Sequence, residues 1–298
     1  METALNEITL VLFTTIAPAG VMGYLTMALA IVLSRDEERA AAISRYLVVP
    51  LVLAISGLIA SATHLGTPAN ALYVITGIGR SPLSNEVVAA VAFLALGGVY
   101  WILSFRDDLR RPFRVAWLAA TAAAGFVFVG YIAVAYSVPS VPTWNLPTAP
   151  LTLWLNALSS GPLVGLFGLL LARQEPNRGM AAALLALVAL AAAVNAAVLG
   201  MQWQELPGIV TTTTRAVDLV PAMPLAIGAY AACEAVAVAL GGIGALRRVI
   251  GTGDDPFAAA QRARIVRLAL TGASALLTLA ACFAVRFMFY ALHMTLGV

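Results

Sequence analysis

The chain has 298 residues, 61% of them hydrophobic and only 10% charged, with a net charge of +3. Soluble domains carry about 25% charged residues, so a soluble globular protein is excluded and no nucleic-acid partner is expected. Apolar blocks of about 20 residues, the length at which a helix crosses a hydrocarbon core roughly 30 Å thick, also exclude the short alternating strands of a membrane barrel.

The opening METALNE carries acids and no base, unlike the basic start of a secretory signal peptide. The first apolar block is therefore expected to be a retained helix. In chain order the predicted helices are Thr9 to Leu33, Ile43 to Thr63, Val87 to Phe105, Phe113 to Ser137, Pro150 to Ala172, Met180 to Trp203, Ala222 to Leu246 and Ile265 to Tyr290. The predicted fold is an all-α integral membrane protein, one transmembrane helical domain over residues 1–298 with eight transmembrane helices. Pro18, Pro50 and Pro162 fall in or near helices, where each removes a backbone donor and favours a kink. Gly20 with Gly23, and Gly161 with Gly165, have the spacing of close helix contacts.

Arginine supplies all the positive side chains, since the sequence has no lysine. Fourteen of the 17 arginines follow the first, third, fifth and seventh blocks, leaving Arg80, Arg215 and Arg286 for the opposite face. Positive loops stay in the cytoplasm, so both termini are expected to face outward, away from the cytoplasm. The connection containing His64 and Arg80, the loop Val138 to Ala149 and the C-terminal tail share that outer face.

The outer face gathers polar groups that the apolar blocks lack: His64, Arg80, Glu86, Trp144, Arg286 and His293, including both histidines of the protein. Taken singly, each has an ordinary reading. Ser84 reads as a helix N-cap with Glu86 in its first turn, where the helix dipole favours a carboxylate, and His64 reads as an interfacial residue ahead of a Gly-Thr-Pro stop. Ionisable groups in membrane segments are costly and tend to be functional, which gives Arg286 more weight. Together they suit a quinol headgroup, whose two hydroxyls lose two protons as two electrons leave. A neutral imidazole accepts such a proton as a general base, and a nearby carboxylate takes it onward.

Two histidines near one face do not make an opposed haem pair, and no ligand spacing suggests a metal. Cys233 and Cys282 sit in apolar blocks without a CxxC spacing and read as small buried residues. Glu234, at mid-bilayer depth in AACEAVAV, is open to two readings: a proton path, or a neutral carboxyl bonded to Asn195 or Asn156.

The turn HLGTP at His64, SNE at Ser84 to Glu86, VPTW at Val141 to Trp144, GPL at Gly161 to Leu163 and the tail FYALHMTLG ending at Gly297 resemble the membrane anchor subunits of bacterial dimethyl sulfoxide reductases. The resemblance covers most of the sequence in matching order. It implies an anchor without haem or metal that oxidises menaquinol near the outer face and passes electrons to an iron–sulfur subunit, which feeds a molybdopterin catalytic subunit. His64 would match the family's quinol-site histidine and Glu86 its site glutamate, with Arg80 between them, while Glu234 has no counterpart. The protein would then be a subunit of an oxidoreductase without the terminal reductase site. Anchors of polysulfide, tetrathionate, arsenate or nitrite reductases are related, and some run toward quinone reduction, so acceptor and direction stay open. The competing readings are a secondary transporter, which would need broken helices in two repeats around a midplane site, and a purely structural anchor.

Overall fold

A computed structural model describes residues 2–63, 74, 76–106, 109–211, 213–247 and 256–294. The helices are α1 (Glu2–Asn6), α2 (Ile8–Leu33), α3 (Glu37–Arg45), α4 (Val48–Thr63), α5 (Pro82–Leu103), α6 (Arg111–Ala135), α7 (Thr148–Leu171), α8 (Arg178–Glu205), α9 (Ala216–Leu219), α10 (Met223–Leu246) and α11 (Pro256–Ala291). With α3 and α4 counted as one crossing, eight segments are long and apolar enough to span a membrane. Among the described residues no sheet forms, and an isolated bridge joins Val210 to Arg215.

Three spans begin clearly earlier than the hydropathy pattern predicts, the second of them at Glu37 rather than Ile43, with a break at Tyr46 and Leu47 that divides it into α3 and α4. α5 starts at Pro82 because Ser81, not Ser84, is the N-cap: its hydroxyl accepts the Ser84 amide at 3.4 Å, and proline suits the first helical position. α11 starts at Pro256, well ahead of Ile265, because the alanine-rich stretch after it forms helix readily although it is too polar to be read as a span.

Packing divides the spans into two four-helix groups, α2 with α4, α5 and α6, and α7 with α8, α10 and α11. The leading helices α2 and α7 pack on each other at the centre and bury most of their positions, as expected for helices that are apolar all round. Small residues set this closeness. A Cβ on Gly161 would overlap Met22, and one on Gly20 would lie 2.6 Å from the Ala54 nitrogen and 2.7 Å from the Pro50 oxygen.

Each central helix carries its internal proline just after paired hydroxyls that bond back into the preceding turn. Thr14 Oγ1 donates to Leu10 O at 2.8 Å and Thr15 Oγ1 to Val11 O at 2.7 Å ahead of Pro18. Ser160 Oγ donates to Asn156 O at 2.6 Å ahead of Pro162.

The two ends of the bundle differ in chemistry. At the arginine-rich end, Arg267 grips Glu175 with two bonds of 2.6 Å and donates to Gly244 O at 2.8 Å, while Arg114 pairs with Glu37. At the other end, the loop after α6 and the segment between α8 and α10 fold onto the tip of α11 in an apolar cluster that includes Val141, Trp144, Leu206, Val220 and Tyr290.

Candidate functional site

The site at the arginine-poor end starts from α5. Gly79, in the turn ahead of the helix, takes a positive φ of 79° and donates its amide to Asn85 Oδ1 at 2.7 Å. That bond holds Asn85 outward over the turn and, one residue on, directs Glu86 inward. With the helix starting at Pro82, Glu86 stands in the second turn, not the first, and is only 1% exposed. The capping role is therefore excluded for this carboxyl. Its Oε2 has no hydrogen-bond partner, an expensive arrangement for a buried polar atom.

α11 brings the opposing cation. Arg286 is 1% exposed, donates from Nε to Thr14 Oγ1 at 3.1 Å, and lays its guanidinium over the Phe289 ring at 4.1 Å and the Tyr290 ring at 5.5 Å. Its Nη2 has no partner. Tyr136, at the end of α6, links the two sides, since it interacts electrostatically with Glu86, Tyr290 and Arg286, and its ring meets Tyr290 edge-on at 5.6 Å. An unbonded acceptor on α5 and an unbonded donor on α11 thus lie within electrostatic range of the same tyrosine.

The loop after α6 roofs this arrangement. Thr143 Oγ1 donates to Leu292 O, and Trp144 Nε1 to Phe289 O at 2.8 Å, so both side chains bond the end of α11. The indole stacks on Phe289 at 5.0 Å with an interplanar angle of 16°, and the His293 ring lies 4.8 Å away. Phe289 is therefore sandwiched between the Arg286 guanidinium and the Trp144 indole, a flat aromatic and cationic wall.

Of the residues expected from the sequence, Arg286, Trp144 and His293 come together around the tip of α11, and Glu86 is linked to them only through its electrostatic influence on Tyr136. Arg80 does not join the buried cluster: its side chain is exposed in the turn before α5. His64 lies outside the described residues. Tyr136, Tyr290 and Thr14 were not anticipated. The available signal was a tyrosine at a helix end and a hydroxyl pair ahead of Pro18, and neither indicates a contact with a helix more than 100 residues away. Glu234 does not bond Asn195 or Asn156 directly. Its Oε1 accepts from Thr278 at 2.8 Å, Ser159 at 3.3 Å and the Cys282 thiol at 3.7 Å.

Chemically, Arg286 offers a buried donor and Glu86 a buried acceptor, each with one unbonded atom, beside the Trp144–Phe289 stack. Among the described residues no three His, Cys, Asp or Glu side chains converge as a metal site.

The family model described as DMSO reductase anchor subunit (DmsC) matches residues 1–292. The protein is 34% identical over 226 residues to the C subunit of anaerobic dimethyl sulfoxide reductase from Escherichia coli K12, an overlap of 74% of this sequence and 77% of that one. It is 29% identical over 297 residues to the C subunit of anaerobic dimethyl sulfoxide reductase from Haemophilus influenzae, an overlap of 100% and 98%. The anaerobic dimethyl sulfoxide reductase subunit YnfH of E. coli K12 is 33% identical over 165 residues, 55% of this sequence and 57% of that one.

Proposed function

Because the chain belongs to the family of dimethyl sulfoxide reductase anchor subunits, we propose that this multi-pass membrane protein oxidises menaquinol at the arginine-poor end of its bundle. The electrons pass to an iron–sulfur subunit and from there to a molybdopterin catalytic subunit, both docked against the loops at that end. The observation that carries the reading is the pair of unsatisfied buried atoms, Glu86 Oε2 and Arg286 Nη2, on groups that both act electrostatically on Tyr136. One headgroup bearing a donor and an acceptor oxygen would satisfy both.

Within that reading, Arg286 holds one headgroup oxygen and stabilises negative charge as the proton leaves. Glu86 accepts a proton, and His64 serves as the second base. His293, half-exposed beside Trp144, passes protons to water, and Arg80, exposed at the mouth, attracts the anionic forms. The apolar tail lies in lipid between helices.

The arginine distribution supports an inner-membrane orientation with both termini and the site on the periplasmic side. Protons would then be released on the side where the electrons are delivered, so the cycle itself would build no proton gradient. The transporter reading gives way to the family assignment.

In the assembled complex, Glu86→Gln or His64→Ala should lower menaquinol-dependent turnover by roughly 100-fold, the usual scale for loss of a positioned base. Turnover driven by a soluble reduced dye should be unchanged. Equal rates in both assays for wild type and variants would reject the proposal and leave a purely structural anchor.

A further inference from the structure

The second helix group contains a column of polar side chains that the quinol reading does not use. It begins at a narrow, mostly apolar cleft of about 10 Å³, room for about one water, between α7, α8, α10 and α11 at the arginine-poor end, where Thr152 and Gln202 are the polar lining residues. From there, positions one face apart on each helix lead inward: Thr152, Asn156 and Ser159 on α7, Gln202 and Asn195 on α8, and Tyr230 and Glu234 on α10. Glu234 lies eleven residues into α10 from Met223, roughly 17 Å at 1.5 Å per residue.

The side chains are joined. Asn195 Nδ2 donates to Asn156 Oδ1 at 2.8 Å, the Cys282 thiol reaches Asn156 O at 3.8 Å and Glu234 Oε1 at 3.7 Å, and Tyr230 interacts with Glu234, Asn195 and Ser159. Yet five atoms in this column make no well-formed hydrogen bond: Gln202 Nε2, Asn195 Oδ1, Asn156 Nδ2, the Tyr230 hydroxyl, which only approaches Asn195 and Ser159, and Glu234 Oε2. Five residues at most 3% exposed, each with an unsatisfied atom and following one another from cavity to mid-bilayer, mark a place for water, which needs two to four polar partners. A bound cation fits poorly, because Asn156 Nδ2 is a donor.

Beyond Glu234 the pattern changes. Ser274 Oγ donates to Ala237 O at 2.6 Å and Thr271 Oγ1 to Arg267 O at 3.0 Å, leaving these hydroxyls satisfied. Packing there is tight, since a Cβ on Gly241 would come within 2.9 Å of Ser274 Oγ and one on Gly244 within 2.6 Å of Thr271.

We infer that the second helix group holds a column of internal water, open toward the arginine-poor end and closed beyond Glu234, through which the Glu234 carboxyl exchanges its proton. Every group facing that carboxyl from α7, α10 and α11 is neutral in form: Ser159, Tyr230, Thr278 and Cys282. A bare carboxylate in such surroundings is costly. Oε1 takes the Thr278 bond at 2.8 Å, so the proton is placed on Oε2, which has no partner.

Infrared spectroscopy of the full-length protein in lipid nanodiscs tests this, and it requires neither quinol nor partner, so its outcome is independent of the quinol proposal. A carboxylic-acid C=O band lost in Glu234→Gln is expected, shifting promptly on transfer to D2O. Asn195→Leu should slow that shift on the order of tenfold by removing a water partner, and Gln202→Leu at the mouth provides the same test if the first variant does not fold. The inference is overturned if the Glu234→Gln difference shows no protonated carboxyl, if the band exchanges as slowly as core amides, or if neither leucine variant slows it.

Discussion

At the scale of single residues, the chemistry rests on where two charges are placed. Glu86 and Arg286 are each 1% exposed and each keeps one polar atom unbonded. The arginine is positioned by shape as much as by charge, since its planar group lies over Phe289 at 4.1 Å. Lysine has neither the plane nor the fork. Arg286→Lys should therefore lower kcat/KM for menaquinol about tenfold, the worth of one charge-assisted hydrogen bond, and leave dye-driven turnover intact; an unchanged quinol kcat/KM would show that the guanidinium does not touch the headgroup. That these residues share one face was legible in the sequence, because arginine counting assigns each loop to a side. That Tyr136 stands between them was not. Its edge-on meeting with Tyr290 joins the end of α6 to α11, distant in sequence, and no local pattern encodes that. SNE was legible as a motif and misleading as a cap, because Pro82 and Ser81 start the helix one turn earlier.

At the scale of elements, apolar blocks gave the helices, and small residues hinted at which ones meet. Gly161 and Gly165 seat α7 against Met22 and Thr26 of α2, and Gly57 of α4 brings its backbone against Ala17. Gly161→Val should cost about 1–3 kcal/mol through overpacking, at the upper end because backbone as well as the Met22 side chain lies in the way. Thermal unfolding of the purified protein checks this, and an unchanged midpoint would show that the α2–α7 contact is looser than its geometry indicates. Hydropathy missed the start of α11 because Pro256 to Arg264 is helical by alanine propensity and not by apolarity. The centrality of α2 and α7 was partly readable, since each is apolar all round and carries an internal proline behind two hydroxyls.

At the scale of the whole molecule, the two ends divide the work. One end is tied by Arg267–Glu175 and Arg114–Glu37, and the other gathers aromatic rings, an arginine and a glutamate under the loop that holds Trp144. If the arginine-rich end is cytoplasmic, alkaline phosphatase fused after the last residue should be active and the same enzyme fused into the α6-side arginine loop inactive; the reverse pattern would turn the molecule over and move the proposed site to the cytoplasm. Both four-helix groups place a buried acid on their third spanning helix, Glu86 on α5 and Glu234 on α10.

The central claim is that a quinol sits where Glu86, Arg286 and Trp144 meet. Photolabelling the assembled complex with an azido-menaquinone and mapping the modified peptides tests it most directly. The account predicts label on the segments carrying Glu86, Trp144 or Phe289 to His293, reduced by excess menaquinol and by Glu86→Gln. Label confined to the large apolar groove between α2, α6 and α8, lined by Leu29, Val115 and Leu187, or unaffected by either competitor, would contradict it.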